Sequence, residues 1–594
     1  MRIGRNIVLI TAFIGLAGMA AVYFPSWKSA DDGVVRILPL VARIDIDRMG
    51  APSWDGRFVP YRSNQAQLWL YNVATTQTQR VLDRPQNARQ NFQHFLISPD
   101  GSQVAYLLES LDGASQLKIL NADGSGERLL FADPKYLVVN PTSWSADGRS
   151  IAAILSEKED ASSVGVINVS DGSLRILYGN KSVTNAKFSP DGRFVAYEEA
   201  RDVFAVSSTG GPPIPVVLHP ANDTLFGWAP DGRLAFRSDR SGKNDIWTVG
   251  FQDGNVAPAP RVLWQDFNFT PLGITKAGDF LYNRSEIRNQ LYAAEVDSAG
   301  GLVAPPAGTG NTRTEGKNKA PDYSPDGAFL AYISELKESQ ELRVHIRTLA
   351  NGAERDLPLP MPRVDQIRWY PDNSAILIRG GGSNHYGLYR LELNKDIDKS
   401  GKLTAVLTEG VGNYPAVNPT FSLDGRYLYY MALPSPDAAV LMRLDLSNGA
   451  LKEVLRPQQG FLRMFSLSPD GTQIVYDVRP PGTSRDQIYV APLSGGQPKL
   501  LRESDSVRAW GGLAWADSKT VLFHHPDSYG VRLDDLLRVP LNGDPVQTLA
   551  STSAVIRIAM HPDGRHITWE SQEWRDELLS IHNLFIKNPT FKQP

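Results

Sequence analysis

The sequence predicts an all-β propeller, and three observations carry that reading. A short phrase recurs twelve times: an apolar or aromatic residue, two small residues or a proline, then Asp-Gly. Its copies run from Asp55 to Asp563 at a spacing of about 46 residues, within the range of four-stranded propeller blades. The run after each copy alternates apolar and polar residues, as a half-buried strand does.

The turn comes first in each repeat. In Ile97-Ser98-Pro99-Asp100-Gly101, Phe188-Ser189-Pro190-Asp191-Gly192 and Tyr323-Ser324-Pro325-Asp326-Gly327, proline presets φ, aspartate bonds back to its own backbone, and glycine takes positive φ. Worn copies keep the logic: Asn373 follows Asp372, and asparagine tolerates the left-handed region. These aspartates are read as turn formers, not as catalytic acids. A strand of β-formers follows, as in Phe194-Val195-Ala196-Tyr197. A polar loop then leads to a second strand such as Gln487-Ile488-Tyr489-Val490, a small turn to a third, and the approach to the next copy supplies the fourth. The recurrent aromatics Trp144, Phe188, Trp228, Trp369, Phe421 and Trp515 are assigned to packing between neighbouring blades.

The longer phrase from Phe236-Arg237-Ser238-Asp239-Arg240 through Asp245-Ile246-Trp247 resembles the best-kept segment of TolB-like propellers, a WD-like repeat family. The resemblance covers roughly residues 35 to 590. It implies the propeller fold and, in a Gram-negative cell, the periplasm. It does not imply one task, because a fold of this kind serves many.

Propellers of four to eight blades are usual, so about twelve four-stranded blades are expected as two six-bladed propellers in tandem. The expected boundaries are 33–300 and 315–590, with the Gly/Pro-rich stretch from Asp297 to Pro321 as linker. Val34 to Val41 is a strand candidate ahead of the first blade, and the last blade lacks an outer strand after Glu577–His582. The two ends of the chain are therefore expected to complete a blade together and remove exposed edges.

With 61 basic and 64 acidic residues the chain carries no footprint for nucleic acid. It has no cysteine, which excludes disulfides and thiolate ligands. Residues 1–6 are short and basic, and 7–24 contain no charge. Eighteen such residues reach the lower end of a membrane span. The expectation is an inner-membrane anchor with a short cytoplasmic tail and the repeats in the periplasm, or alternatively a cleaved export signal.

No Gly-x-Ser-x-Gly elbow occurs, and about 30 residues beyond His561 leave no room for a peptidase domain. The chain is accordingly expected not to be an enzyme, with no catalytic residues, metal or cofactor. His524-His525 would point to opposite faces of a strand. The Gly380-Gly381-Gly382 loop lacks the lysine and helix of a phosphate cradle. Function is placed on the loops, where rigid blades display variable side chains. Arg240, Lys243, His385, Tyr386, Arg479, His524 and Tyr529 are the candidate partner-binding residues. The expected role is a scaffold or sensor for an envelope or periplasmic protein. The alternatives are a channel that binds a small molecule or glycan, and a propeller-borne lyase or hydrolase.

Overall fold

The computed structural model describes residues 34–43, 46–63, 66–83, 85, 90–110, 115–157, 161–297, 300–309, 317–336, 339, 341–382, 386–393, 401–408, 417–435, 438–457, 460–481, 483, 486–504, 512–526, 533–585 and 590–591. The apolar segment 7–24 lies outside them. Among the described residues no helix is long and apolar enough to cross a membrane.

The described chain is all β. Ten four-stranded antiparallel sheets each follow chain order, the first being Ile46–Met49, Phe58–Ser63, Leu68–Asn72 and Thr78–Leu82. The motif turns join the first and second strands. In one copy Ser98 Oγ donates to Asp100 Oδ1 at 2.6 Å and accepts the Gln103 N–H at 2.9 Å. The Gly101 N–H donates to the Ser98 carbonyl at 2.9 Å, with Gly101 at φ 72°. The same Ser–Asp bond recurs at 2.6 Å for Ser53–Asp55, Ser145–Asp147, Ser189–Asp191, Ser324–Asp326 and Ser468–Asp470. The Ser98 hydroxyl, against a small desolvation cost, holds the Asp100 carboxyl below its usual range. These acids hold turns, and Asn373 sits at φ 59° as its turn requires.

The sheets pack face to face in two cyclic series. In the first, the sheets spanning 46–82, 90–131, 138–181, 183–217 and 223–264 contact one another in chain order. In the second, the sheets spanning 318–358, 363–407, 417–455, 461–504 and 513–553 do so. Both series close through one seven-stranded sheet. Its spine is a pair of long strands, Phe280–Glu295 and His566–His582, antiparallel in unbroken register from Phe280↔Ile581 to Glu295↔His566. At the Phe280 end the pair is flanked by Thr270–Ile274 and by Val34–Arg43, completing the first series. At the Glu295 end it is flanked by Val555–Met560 and Ala307–Thr309, completing the second. The strand Val34–Arg43 thus pairs with the C-terminal strand, the closure that the edge argument anticipates.

Side-chain alternation wedges this sheet into place. On one face Phe280, Tyr282, Leu579 and Ile581 pack with Phe226 of the preceding sheet and Phe267 of the loop that follows it. On the other, Leu281 and Leu578 pack with Ile46, Val59, Tyr61 and Tyr71 of the first. In the second series Trp569 and Ile567 face Ala514 and Leu522, and Leu291 faces Leu330 and Tyr332. Each fully buried side chain of this size contributes about 1.5–3 kcal/mol. Between the series, around the Ile287↔Trp574 pair, opposite charges face across the spine in register: Arg284↔Glu577, Glu286↔Arg575, Arg288↔Glu573. Arg284 Nε donates to Glu577 at 2.7 Å.

Two outcomes follow from this packing. A Cβ at Gly101 would lie 2.5 Å from the Phe58 ring, whereas one at Gly192 meets nothing within 4 Å. Gly192→Ala should therefore lose about 1 kcal/mol for the left-handed backbone alone, and Gly101→Ala distinctly more, read from thermal midpoints. Glu577→Lys, which sets like charges beside Arg284 and Arg575, should lose about 1 kcal/mol, and adding Arg284→Glu should recover most of it.

Candidate functional site: the channel mouth of the first series

Where the inner strands of the first series converge, the residue two positions before each motif serine or its equivalent forms a collar: Ala51, Leu96, Ser143, Lys187, Gly227 and Gly273. The collar opens into a cavity of about 120 Å³. Its walls are apolar, with Trp54, Trp144, Trp228, Pro99 and Pro190 on the motif side. Gly227 contributes no side chain, and a Cβ there would meet nothing within 4 Å.

The indoles belong to the inter-sheet packing as well as to the wall. Trp228 Nε1 donates to the Lys187 carbonyl at 2.9 Å, one sheet back. Trp369 and Trp515 repeat the contact to Asp322 O at 3.2 Å and Ser466 O at 3.0 Å. The Trp144 indole N–H has no acceptor.

Lys187 is the one charged member of the collar. Its ammonium donates to the Thr142 carbonyl at 2.8 Å, a neutral partner on the neighbouring sheet. Burial pushes the ammonium down to about 8, with Glu198 acting weakly the other way. Glu198 does not pair with it. The Glu198 carboxylate accepts from the Leu225 N–H at 2.7 Å, Thr184 Oγ1 at 2.9 Å and Asn185 Nδ2 at 3.2 Å. A buried cation with spare donors in an apolar funnel can bind an anionic group strongly, because little water competes there.

The loop face is organised differently. Arg240 donates to both carboxylate oxygens of Asp223, at 2.9 and 3.0 Å, and to Ser238 Oγ at 2.8 Å. It also lies over the Trp247 ring at 5.0 Å. Lys243 pairs with Asp266 at 3.3 Å in the open. The Tyr386 hydroxyl donates to Asp365, which also holds Arg379 at 2.8 Å. Arg479 grips Asp486 at 2.8 and 3.0 Å, and Arg463 shares the same carboxylate. His524 is half-buried on the strand Thr520–Pro526. His385 and Tyr529 lie outside the described residues. Arg240 and Arg479 are thus built into ion pairs within their own sheets, and Tyr386 into a hydrogen bond to the Asp365 carboxylate that pairs with Arg379. The collar lysine escaped sequence reading, although the position before the motif aromatic is charged in few copies, and that irregularity was visible.

His561, Asp563 and His566 place ligand-type atoms within 4.8 Å of one another. His561 is occupied, however. Its Nε2 lies 2.9 Å from the Gly327 carbonyl across the closure of the second series, and its Nδ1 lies 3.1 Å from the Asp563 backbone nitrogen and 2.9 Å from Asp563 Oδ1.

No protein-family model matches the chain. Dipeptidyl-peptidase 5 of Porphyromonas gingivalis is 24% identical over 474 residues, covering 73% of this chain and 66% of that protein. The Tol-Pal system protein TolB of Anaeromyxobacter dehalogenans is 37% identical over 97 residues, 16% of this chain and 21% of that protein. A solved structure of a putative TolB from Agrobacterium tumefaciens is 16% identical and covers 48% of this chain and 99% of its own, with a TM-score of 0.37. The chain thus spans less than two thirds of the length of these two curated relatives. The fold is a TolB-like β-propeller. The expectation that the chain is not an enzyme is corrected: the relative aligned along most of it is named as a peptidase.

Asp477 supplies a pH-dependent outcome. Burial, with Asp486 adding repulsion, pushes its carboxyl up to about 7, and its Oδ1 has no partner. A raised folded value favours the protonated acid, so its contribution is complete below about pH 4 and is lost as pH rises towards 7. Asp477→Asn should raise the thermal midpoint at pH 8 and leave it nearly unchanged at pH 4.

Proposed function

We propose that this chain is a peptidase-related, TolB-like propeller that captures an extended polypeptide segment at the channel mouth of its first series. The observation that carries the reading is the collar itself: a narrow funnel walled by indole and proline rings, with one cation at its rim whose hydrogen-bond partner is a neutral carbonyl. Such walls suit peptide side chains and prolines, and the rigid inner strands hold them ready without a cost of ordering. The named peptidase relative supports a polypeptide ligand over a glycan.

In this reading the two series are two six-bladed propellers. The first runs from 34 to 285 and is completed by 576–582, and the second lies between. Export across the inner membrane by residues 1–24, with retention there as an anchor, belongs to the same proposal, as does a periplasmic site of action. At the mouth, Ser189 Oγ donates to Asp191 at 2.6 Å within its turn, and Ser143 Oγ accepts the Phe188 N–H at 3.1 Å. Scaffold or sensor roles fit within this reading as uses of the captured segment.

The test is retention of a pooled peptide digest by the purified full chain, read by mass spectrometry. Ala51→Trp, which fills the funnel from the collar, should cut retention more than tenfold while the thermal midpoint stays near that of the parent. Retention unchanged by the plug would remove the channel mouth as the site, and no retention by the parent would remove the reading.

A further inference from the structure

The two channels of this protein carry an internal comparison. In the second series the collar position holds Asp322 on one sheet and Arg368 on the next. Asp322 accepts the Trp369 N–H at 2.7 Å and the Arg368 guanidinium at 3.0 Å. In the first series Ser143 occupies the place of Asp322, since its Oγ accepts the equivalent N–H, that of Phe188, at 3.1 Å. Lys187 occupies the place of Arg368. The same scaffold therefore holds a cation twice, once paired with an acid and once hydrogen-bonded to the neutral Thr142 carbonyl.

That difference points to a ligand. Burying an ion without its counter-charge is costly, and the second series avoids the cost with Asp322. The first series gives the ammonium a neutral carbonyl, that of Thr142, as its hydrogen-bond partner and leaves the attraction of Glu198 without a direct ion pair, at a cavity of about 120 Å³, room for one or two residues of a peptide rather than a folded partner. We infer that this mouth receives a peptide carboxylate, its chain terminus foremost, on the Lys187 ammonium, with the Trp54 and Trp144 faces holding the residue behind it. The inference rests on the proposed capture of a polypeptide and adds the chemistry of the end that enters. A chain end fits a funnel with a charged collar better than a continuing chain does, because the terminal carboxylate brings its charge without a second backbone arm.

The probe is a pool of N-acetylated tripeptides, presented to the full chain as free acids and, separately, as the matching C-terminal amides. Half of the amides carry an internal aspartate. Equilibrium dialysis with mass-spectrometric readout gives each affinity. Free acids should bind at least tenfold better than neutral amides. Lys187→Gln should bring the acids down to the amide level and leave the amides unchanged. Ser143→Asp, which rebuilds the Asp322–Arg368 arrangement, should do the same while keeping the lysine, and it serves as the test if the first variant fails to fold. Amides with internal aspartate that match the free acids would overturn the entry of the chain terminus and assign the carboxylate to a side chain. Neutral amides that bind as well as acids would overturn the inference and leave polypeptide capture standing. Acids unaffected by Ser143→Asp in a folded protein would also overturn it. Failure of every peptide to bind would overturn both.

Discussion

The structure depends on one constraint, the unbroken antiparallel register of Phe280–Glu295 with His566–His582. A ring of sheets has to be closed by something other than chain order, or it leaves two open edges. Here one pair of strands closes both series. Its Phe280 end is wedged between Phe226 and Ile46, and its other end between Ala514 and Leu330. Because strand side chains alternate, a slip of one residue would exchange the two faces of this sheet and break four hydrophobic contacts at once. The facing charges at its middle act in the same direction at lower energy, as exposed pairs do.

Closure makes the inner strands rigid, and rigidity is what lets the collar carry chemistry. The motif serine and aspartate spend their polar groups on the turn, and the aromatic beside them spends its bulk, and in some copies its N–H, on the neighbouring sheet. The position two before the serine is left to face the channel. In most copies it is small or apolar, which the packing tolerates. At Lys187, Asp322 and Arg368 it is charged, and only the last two neutralise each other. Burial holds the Asp322 carboxyl above its usual range, offset by Arg368 and the Trp369 N–H, so even that pair is held under desolvation.

The turns were legible from the sequence because their chemistry is local. Ser98, Asp100 and Gly101 interact within five residues, and the pattern repeats. The strands were legible because Val104-Ala105-Tyr106 alternates. Loop arginines were harder to read. Arg240 and Arg479 look free in a polar loop, yet their acids, Asp223 and Asp486, stand on other strands of the same sheet and become partners only when the sheet forms. The spine was hidden for a similar reason: its halves are separated by about 290 residues, and only the matching alternation of Arg284, Glu286 and Arg288 with Glu573, Arg575 and Glu577 records the pairing. Lys187 was missed because a single lysine before a motif aromatic reads as surface until the neighbouring sheets enclose it.

Hydrogen exchange followed by mass spectrometry on the intact chain, under mildly denaturing conditions, tests shared closure most directly. If one strand pair closes both series, amides of 280–295 and 566–582 exchange among the slowest, and both series lose protection in a single concerted step. Early exchange of these two segments, with each series then unfolding independently, would contradict it.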